Sequence, residues 1–141
     1  MTELNPSYVT AVAEQLSFVS AFLGGISATI LFTIVVFTSP KKSVSWIVSA
    51  SALAACSLLV AVVASWRLTI LLHPDLPISV DSNVVKVLWA SMLIGYGLGF
   101  LSLLASIGLS GWLRSRKTGL ITTCIALVAV LFFVAATPFG I

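Results

Sequence analysis

Residues 87–113 read VLWASMLIGYGLGFLSLLASIGLSGWL, a stretch of 27 residues without a charged side chain. A helix of this length extends about 40 Å, and the hydrocarbon core of a bilayer is about 30 Å thick. The stretch therefore predicts a membrane-spanning helix. Three further runs without charge, at residues 15–40, 43–66 and 118–141, are long enough for the same structure. The chain is thus predicted to be an all-α, polytopic membrane protein with four transmembrane helices.

The composition of the whole chain agrees with this fold class. Of the 141 residues 60% are hydrophobic and only 8% are charged, with a mean hydropathy of +1.20. Soluble domains carry about 25% charged residues. A soluble globular domain, a disordered chain and a secreted disulfide scaffold are therefore excluded. We expect one domain, residues 1–141, in which two helical hairpins form a four-helix bundle with spans at about 16–38, 44–72, 84–113 and 120–137.

Basic residues concentrate in two of the three connections between the spans. Loops 39–43 and 114–119 hold five of the seven Lys and Arg residues and no acidic residue. Because cytoplasmic loops are enriched in Lys and Arg, we predict that both loops are cytoplasmic and that both termini lie on the outer side. The net charge of +3 then serves orientation, so nucleic acid is not an expected partner. The compact loops favour a bacterial inner (plasma) membrane.

Four tryptophans lie near the ends of the predicted spans. Trp is enriched at both membrane–water interfaces, where its ring lies at the level of the headgroups. Two of the four flank the loops predicted to be cytoplasmic, and two lie near the opposite ends of the spans. All four are predicted to be interfacial anchors: Trp46, Trp112, Trp66 and Trp89.

Residues that could carry catalysis or hold a metal ion are scarce. The chain has one histidine, His73, and two cysteines, Cys56 and Cys124, and no carboxylate lies deep in a span. Catalysis requires several titratable groups in one place. We therefore expect no enzymatic activity, no catalytic residue, no metal site and no cofactor. The two cysteines are expected to be buried thiols without a disulfide bond.

The third span carries small residues at helical spacing. Six Gly or Ser residues lie three or four positions apart and share an arc of about 100° on a helical wheel. They are Ser91, Gly95, Gly99, Ser102, Ser106 and Ser110. Small residues let helix backbones approach closely in a bilayer, and serines can add hydrogen bonds. This set is predicted to be a helix-packing face, either within one subunit or between subunits.

The first span has a second face of small and polar residues on the half nearer the N-terminus. Its candidate pore-facing residues are Glu14, Ser17, Ser20, Gly24 and Ser27. If several subunits surround an axis with this face inward, the carboxylates form an acidic ring, which favours cations. In the alternative interpretation the face packs against the other spans of the same chain, and Glu14 stays in the headgroup region.

These patterns predict a small non-enzymatic integral membrane protein that oligomerises through Gly/Ser-rich helix faces. Such an assembly would form an ion channel or membrane pore lined by the first span. Two alternatives stay open: an accessory or scaffold subunit of a larger membrane complex, and a transporter of a lipid or small solute. The expected partners are the lipid bilayer and either further copies of the chain or a membrane partner subunit.

Overall fold

The computed structural model describes residues 6–37, 42–73 and 81–136, of which 96% are helical. The chain forms helices α1 (Pro6–Phe37), α2 (Lys42–Leu71), α3 (Ser82–Ser110) and α4 (Arg116–Ala136), with a 3₁₀ turn at Gly111–Leu113. Each of the four α-helices is long and apolar enough to cross a membrane. The predicted all-α fold with four helices of spanning length is confirmed.

β-Branched residues do not prevent helix formation in this chain. The run Thr33-Ile34-Val35-Val36 would favour a strand in water, but it lies inside α1. In hydrocarbon every backbone N–H and C=O group needs a partner, and a helix provides all of these partners within one segment. In a bilayer this requirement would outweigh the local preference for a strand.

Each helix begins before its predicted span, outside the apolar run, and ends one to three residues before the predicted end. α1 starts at Pro6, a residue type that suits the first turn because its missing N–H would have no partner there. α3 is capped by Asp81, whose carboxylate accepts a hydrogen bond from the backbone N–H of Asn83 at 3.0 Å. α4 is capped by Ser115, whose hydroxyl accepts from the backbone N–H of Thr118 at 3.1 Å. Most of loop 39–43 lies outside the described residues.

The helices pack in chain order, with the α2–α3 pair at the centre. α1 packs along α2, and α4 packs along α3 and the 3₁₀ turn. α1 touches α3 over a short stretch, and within the described ranges α4 contacts neither α1 nor α2. Consequently α2 and α3 bury the most surface, whereas α1 and α4 are largely exposed.

Two apolar clusters fasten α1 to α2 near the two ends of the bundle. One cluster, which includes α3, contains the buried residues Ala13, Ala64, Leu68 and Met92. The other contains Ile34, Val44 and Ile47. The α1–α2 crossing is therefore held at both ends of the helices.

Glycines allow α2 and α3 to approach closely between these clusters. A methyl group at Gly95 would lie 2.9 Å from the carbonyl oxygen of Ser57 and 3.2 Å from the amide nitrogen of Ala61. At Gly99 a methyl group would lie 2.5 Å from Cγ of Leu58, which is fully buried. At Gly95 any larger side chain would thus require the backbone of α2 to shift, and at Gly99 it would require the buried Leu58 side chain or α2 to move.

The buried hydroxyl groups of Ser51 on α2 and Ser106 on α3 are hydrogen-bonded to each other across the same interface, 2.5 Å apart. Either hydroxyl can be the donor. Because both side chains are fully buried, each hydroxyl would lack this partner if the other were removed. The pair therefore adds a polar link to an interface that otherwise consists of apolar packing.

Substitution of Gly99 by alanine is expected to destabilise the bundle. The added methyl group forces α3 away from Leu58, so Gly99→Ala should lower the free energy of unfolding by about 1–3 kcal/mol. Gly97→Ala is the matched control on the same helix, because a methyl group there meets no atom within 4 Å. Both variants can be compared by unfolding in mixed micelles followed by circular dichroism. Equal losses in the two variants would contradict this account of the α2–α3 interface.

Candidate functional site

The structure divides the candidate pore-facing residues of α1 between different environments. Ser20 and Ser27 are 1% and 0% exposed, because their side of α1 packs within the bundle. Gly24 is half-buried, and a methyl group there would lie 3.6 Å from Cβ of Leu58. Ser17 is half-buried and Glu14 is exposed. The five residues therefore do not share one open surface in the single chain.

The two buried serines of α1 differ in their hydrogen bonding. The hydroxyl of Ser27 donates to the carbonyl oxygen of Leu23 at 2.9 Å. The hydroxyl of Ser20 has no partner among the described residues. An unpaired buried hydroxyl is unfavourable, so the hydroxyl of Ser20 does not stabilise this interface. The small volume of the Ser20 side chain is the property that fits there.

A different side of α1 carries small and polar residues that the rest of the chain leaves uncovered. Ala21, Gly25, Thr29 and Thr33 follow one another at four-residue spacing, and all four are exposed. A methyl group at Gly25 would have no heavy atom within 4 Å. On a helical wheel with 100° per residue, the exposed Glu14 lies at an angle between those of Ala21 and Gly25. We call these five residues the α1 stripe; they share an arc of about 120°, within which the exposed Phe18, Phe22 and Phe32 also lie.

The threonine hydroxyls of the α1 stripe donate hydrogen bonds to carbonyl oxygens of α1 itself. Thr29 donates to the carbonyl oxygen of Gly25 at 2.9 Å, and Thr33 donates to that of Thr29 at 2.8 Å. Each hydroxyl oxygen keeps its capacity to accept a hydrogen bond. The stripe can therefore contact lipid or another helix without an unpaired donor.

The C-terminal half of the α1 stripe borders an open groove between α1 and α3. The groove has a volume of about 280 Å³. It is lined by Thr29, Ile30, Thr33 and Ile34 from α1 and by Ser106, Ile107 and Ser110 from α3. It is open because α4 packs on another side of α3 and does not reach α1 in the described part of the chain.

The predicted helix-packing face of α3 is only partly used within the subunit. Gly95, Gly99 and Ser106 are buried, and all three lie against α2. The other members, Ser91, Ser102 and Ser110, are half-buried. The hydroxyls of Ser91 and Ser110 donate to carbonyl oxygens of α3 itself, at 2.8 and 2.7 Å. The close packing is thus confined to the middle of the face.

The four predicted tryptophan anchors have different surroundings. Trp46 and Trp66 are 72% and 64% exposed. Trp89 packs against the cluster around Met92. The indole N–H of Trp112 donates to the hydroxyl of Thr123 at 3.1 Å, and a methyl group at Gly119 would collide with its ring. Trp112 therefore also fastens the end of α3 to α4.

Titratable residues do not assemble into a site in the part of the chain that the structure describes. Across residues 6–37, 42–73 and 81–136 there is no group of three His, Cys, Asp or Glu side chains that could hold a metal ion. Cys56 and Cys124 are free, and both are exposed. The expectation of buried thiols is therefore wrong, because these cysteines lie on sides of α2 and α4 that no described helix covers.

Comparisons with known proteins give no match. No protein-family model, no curated protein and no solved structure is similar to the chain. The open α1 stripe is consequently the candidate functional surface on geometric grounds alone.

Removal of the hydroxyl group at Ser20 and at Ser106 is expected to change the free energy of unfolding in opposite directions. Ser20→Ala removes an unpaired buried hydroxyl and should raise the free energy of unfolding by up to about 1 kcal/mol. Ser106→Ala removes the partner of Ser51 and should lower it by about 0.6–1.7 kcal/mol. The measurement is the same unfolding titration in mixed micelles. A loss of stability in Ser20→Ala, or no loss in Ser106→Ala, would refute these assignments.

Proposed function

We propose that the chain is a small non-enzymatic membrane protein that self-associates through the α1 stripe and surrounds an ion pathway with Glu14 at its outer mouth. One observation carries the proposal: the stripe combines small residues and a carboxylate on a side of α1 that no described helix covers. In the proposed topology loops 39–43 and 114–119 face the cytoplasm, in keeping with their excess of basic residues.

The small residues of the stripe support helix association in a bilayer. Lipid tails are as apolar as leucine, so helices associate through close packing and hydrogen bonds rather than through the hydrophobic effect. The chain already uses glycine in this way at Gly95 and Gly99, where α2 fills the space. At Gly25 the corresponding space is open. A helix from a second copy is the proposed occupant.

Glu14 supports the proposal of a cation pathway. It lies seven residues before Ala21 and eleven before Gly25, about 10 and 16 Å along the helix axis. A symmetric assembly places the Glu14 side chains of all subunits around one axis. A ring of carboxylates favours cations. Phe18, Phe22 and Phe32 are also exposed within the same arc, and Phe18, one turn below Glu14, would form an apolar constriction beneath the ring.

A second candidate function is an accessory subunit of a larger membrane complex. The groove between α1 and α3 favours it, because this groove continues from the stripe and offers polar side chains from both helices. In this case a helix of another membrane protein covers the stripe. The two candidates differ in what the purified chain does alone, since an accessory subunit stays monomeric.

A bulky residue at Gly25 is expected to prevent self-association. Gly25→Leu fills the open part of the stripe and should shift the assembly in nanodiscs to monomers, measured as subunit number by native mass spectrometry. Gly97→Leu is the matched control, because Gly97 also has open space around it but lies on α3. A wild-type chain that is monomeric at every protein concentration would refute self-association.

Neutralising Glu14 is expected to weaken cation selectivity. In liposomes that contain the wild-type protein, K⁺ flux should exceed Cl⁻ flux, and Glu14→Gln should reduce this ratio because the acidic ring loses its charge. Glu14→Asp keeps the charge and should retain most of the selectivity. Assemblies that form but conduct no ions would show that the pore is wrong while self-association is right.

A further inference from the structure

An apolar cleft runs along the boundary between α3 and α4. It has a volume of about 340 Å³ and is lined from Leu101 to Leu109 on α3 and from Thr123 to Val130 on α4. Its floor contains small residues: a methyl group at Gly108 would lie 3.4 Å from Cβ of Ala126. Its rim includes leucines that are exposed on the surface of the protein. The lining residues extend over about 12 Å of α3.

The cleft leads to a strongly basic turn. Thr123, at the end of the cleft, accepts the hydrogen bond from Trp112, a residue type that favours the headgroup level. The turn beyond carries Arg114, Arg116 and Lys117, all exposed. No acidic residue occurs in residues 87–141, so no neighbour in this half of the sequence neutralises these charges.

Arg116 lies on the same side of α4 as the cleft. It precedes Thr123 by seven residues, which is close to two full helical turns and about 10 Å along the axis. Thr123, Leu127 and Val130 continue this side of the helix along the cleft. Lys117 is one residue further along and therefore points about 100° away from this side.

We infer that this cleft binds a phospholipid with an anionic headgroup. One acyl chain lies between α3 and α4, and the headgroup phosphate lies at Arg116. An arginine side chain can donate two parallel hydrogen bonds to a phosphate group, and basic clusters beside transmembrane helices attract anionic lipids. The occupant is a lipid because the cleft is apolar along its length and cationic only at its mouth. This site is separate from the α1 stripe and does not depend on self-association.

Native mass spectrometry of the purified protein tests the headgroup part of the proposal. The probes are phosphatidylglycerol and phosphatidylcholine with identical acyl chains. Phosphatidylglycerol should be retained in preference, and Arg116→Gln should weaken its binding about tenfold, as expected for the loss of one charge-assisted contact. Lys117→Gln removes the same charge from the same turn and should weaken binding less than about twofold. Equal retention of the two lipids, or equal effects of the two variants, would overturn the proposal.

A second pair of variants tests the acyl-chain part. Ala105→Phe places a ring in the cleft without a change of charge, and the retained phosphatidylglycerol should fall. Val128→Phe adds the same ring on an exposed side of α4 outside the cleft and should leave retention unchanged. Circular dichroism establishes that each variant keeps its helices. Because Arg116 is exposed, Arg116→Gln decides the proposal even where Ala105→Phe fails to fold. Unchanged retention in a folded Ala105→Phe variant would contradict it.

Discussion

The close approach of α2 and α3 is the constraint on which the rest of the bundle depends. Gly95 and Gly99 let the backbone of α3 lie against α2, and the Ser51–Ser106 hydrogen bond links the same two helices. Dispersion contacts are individually weak and fall off steeply with distance, so a separation small enough to exclude lipid between the helices is needed. The other two helices then pack on the outer sides of this central pair.

The central pair also determines which surfaces stay open. One side of α1 packs against α2, and one side of α4 packs against α3. The two outer helices do not contact each other in the described part of the chain. The bundle is therefore open between them. This openness leaves the groove beside the α1 stripe uncovered. A bundle in which α4 closed onto α1 would cover this groove.

Much of the fold follows from the sequence, because hydrophobic length and the absence of charge act locally. Asp81 could likewise be predicted as a cap from residue types alone. The sequence does not predict, however, which face of each helix packs against its neighbours. Glu14, Ser17, Ser20, Gly24 and Ser27 form one continuous face by spacing, yet the packing of α1 buries Ser20 and Ser27 and leaves Glu14 exposed. The sequence also contains the four-residue spacing from Ala21 to Thr33, but only the position of α2 decides which of the two faces of α1 is covered. Cys56 and Cys124 illustrate the same limit, because apolar sequence does not distinguish lipid from protein as a neighbour.

The uneven burial of the helices bears on how the sequence can vary. Along α4, Leu131 and Phe132 are 69% and 72% exposed, so in a bilayer they would face lipid tails, where one large apolar residue serves as well as another. At Gly99 the chain tolerates no added atom unless the buried Leu58 side chain or the helix backbone moves. Substitution during evolution should therefore be fast on the lipid-facing side of α4 and slow along the contact between α2 and α3. Within one uniformly hydrophobic sequence, the freedom to change thus differs from residue to residue according to the distance to the neighbouring helix.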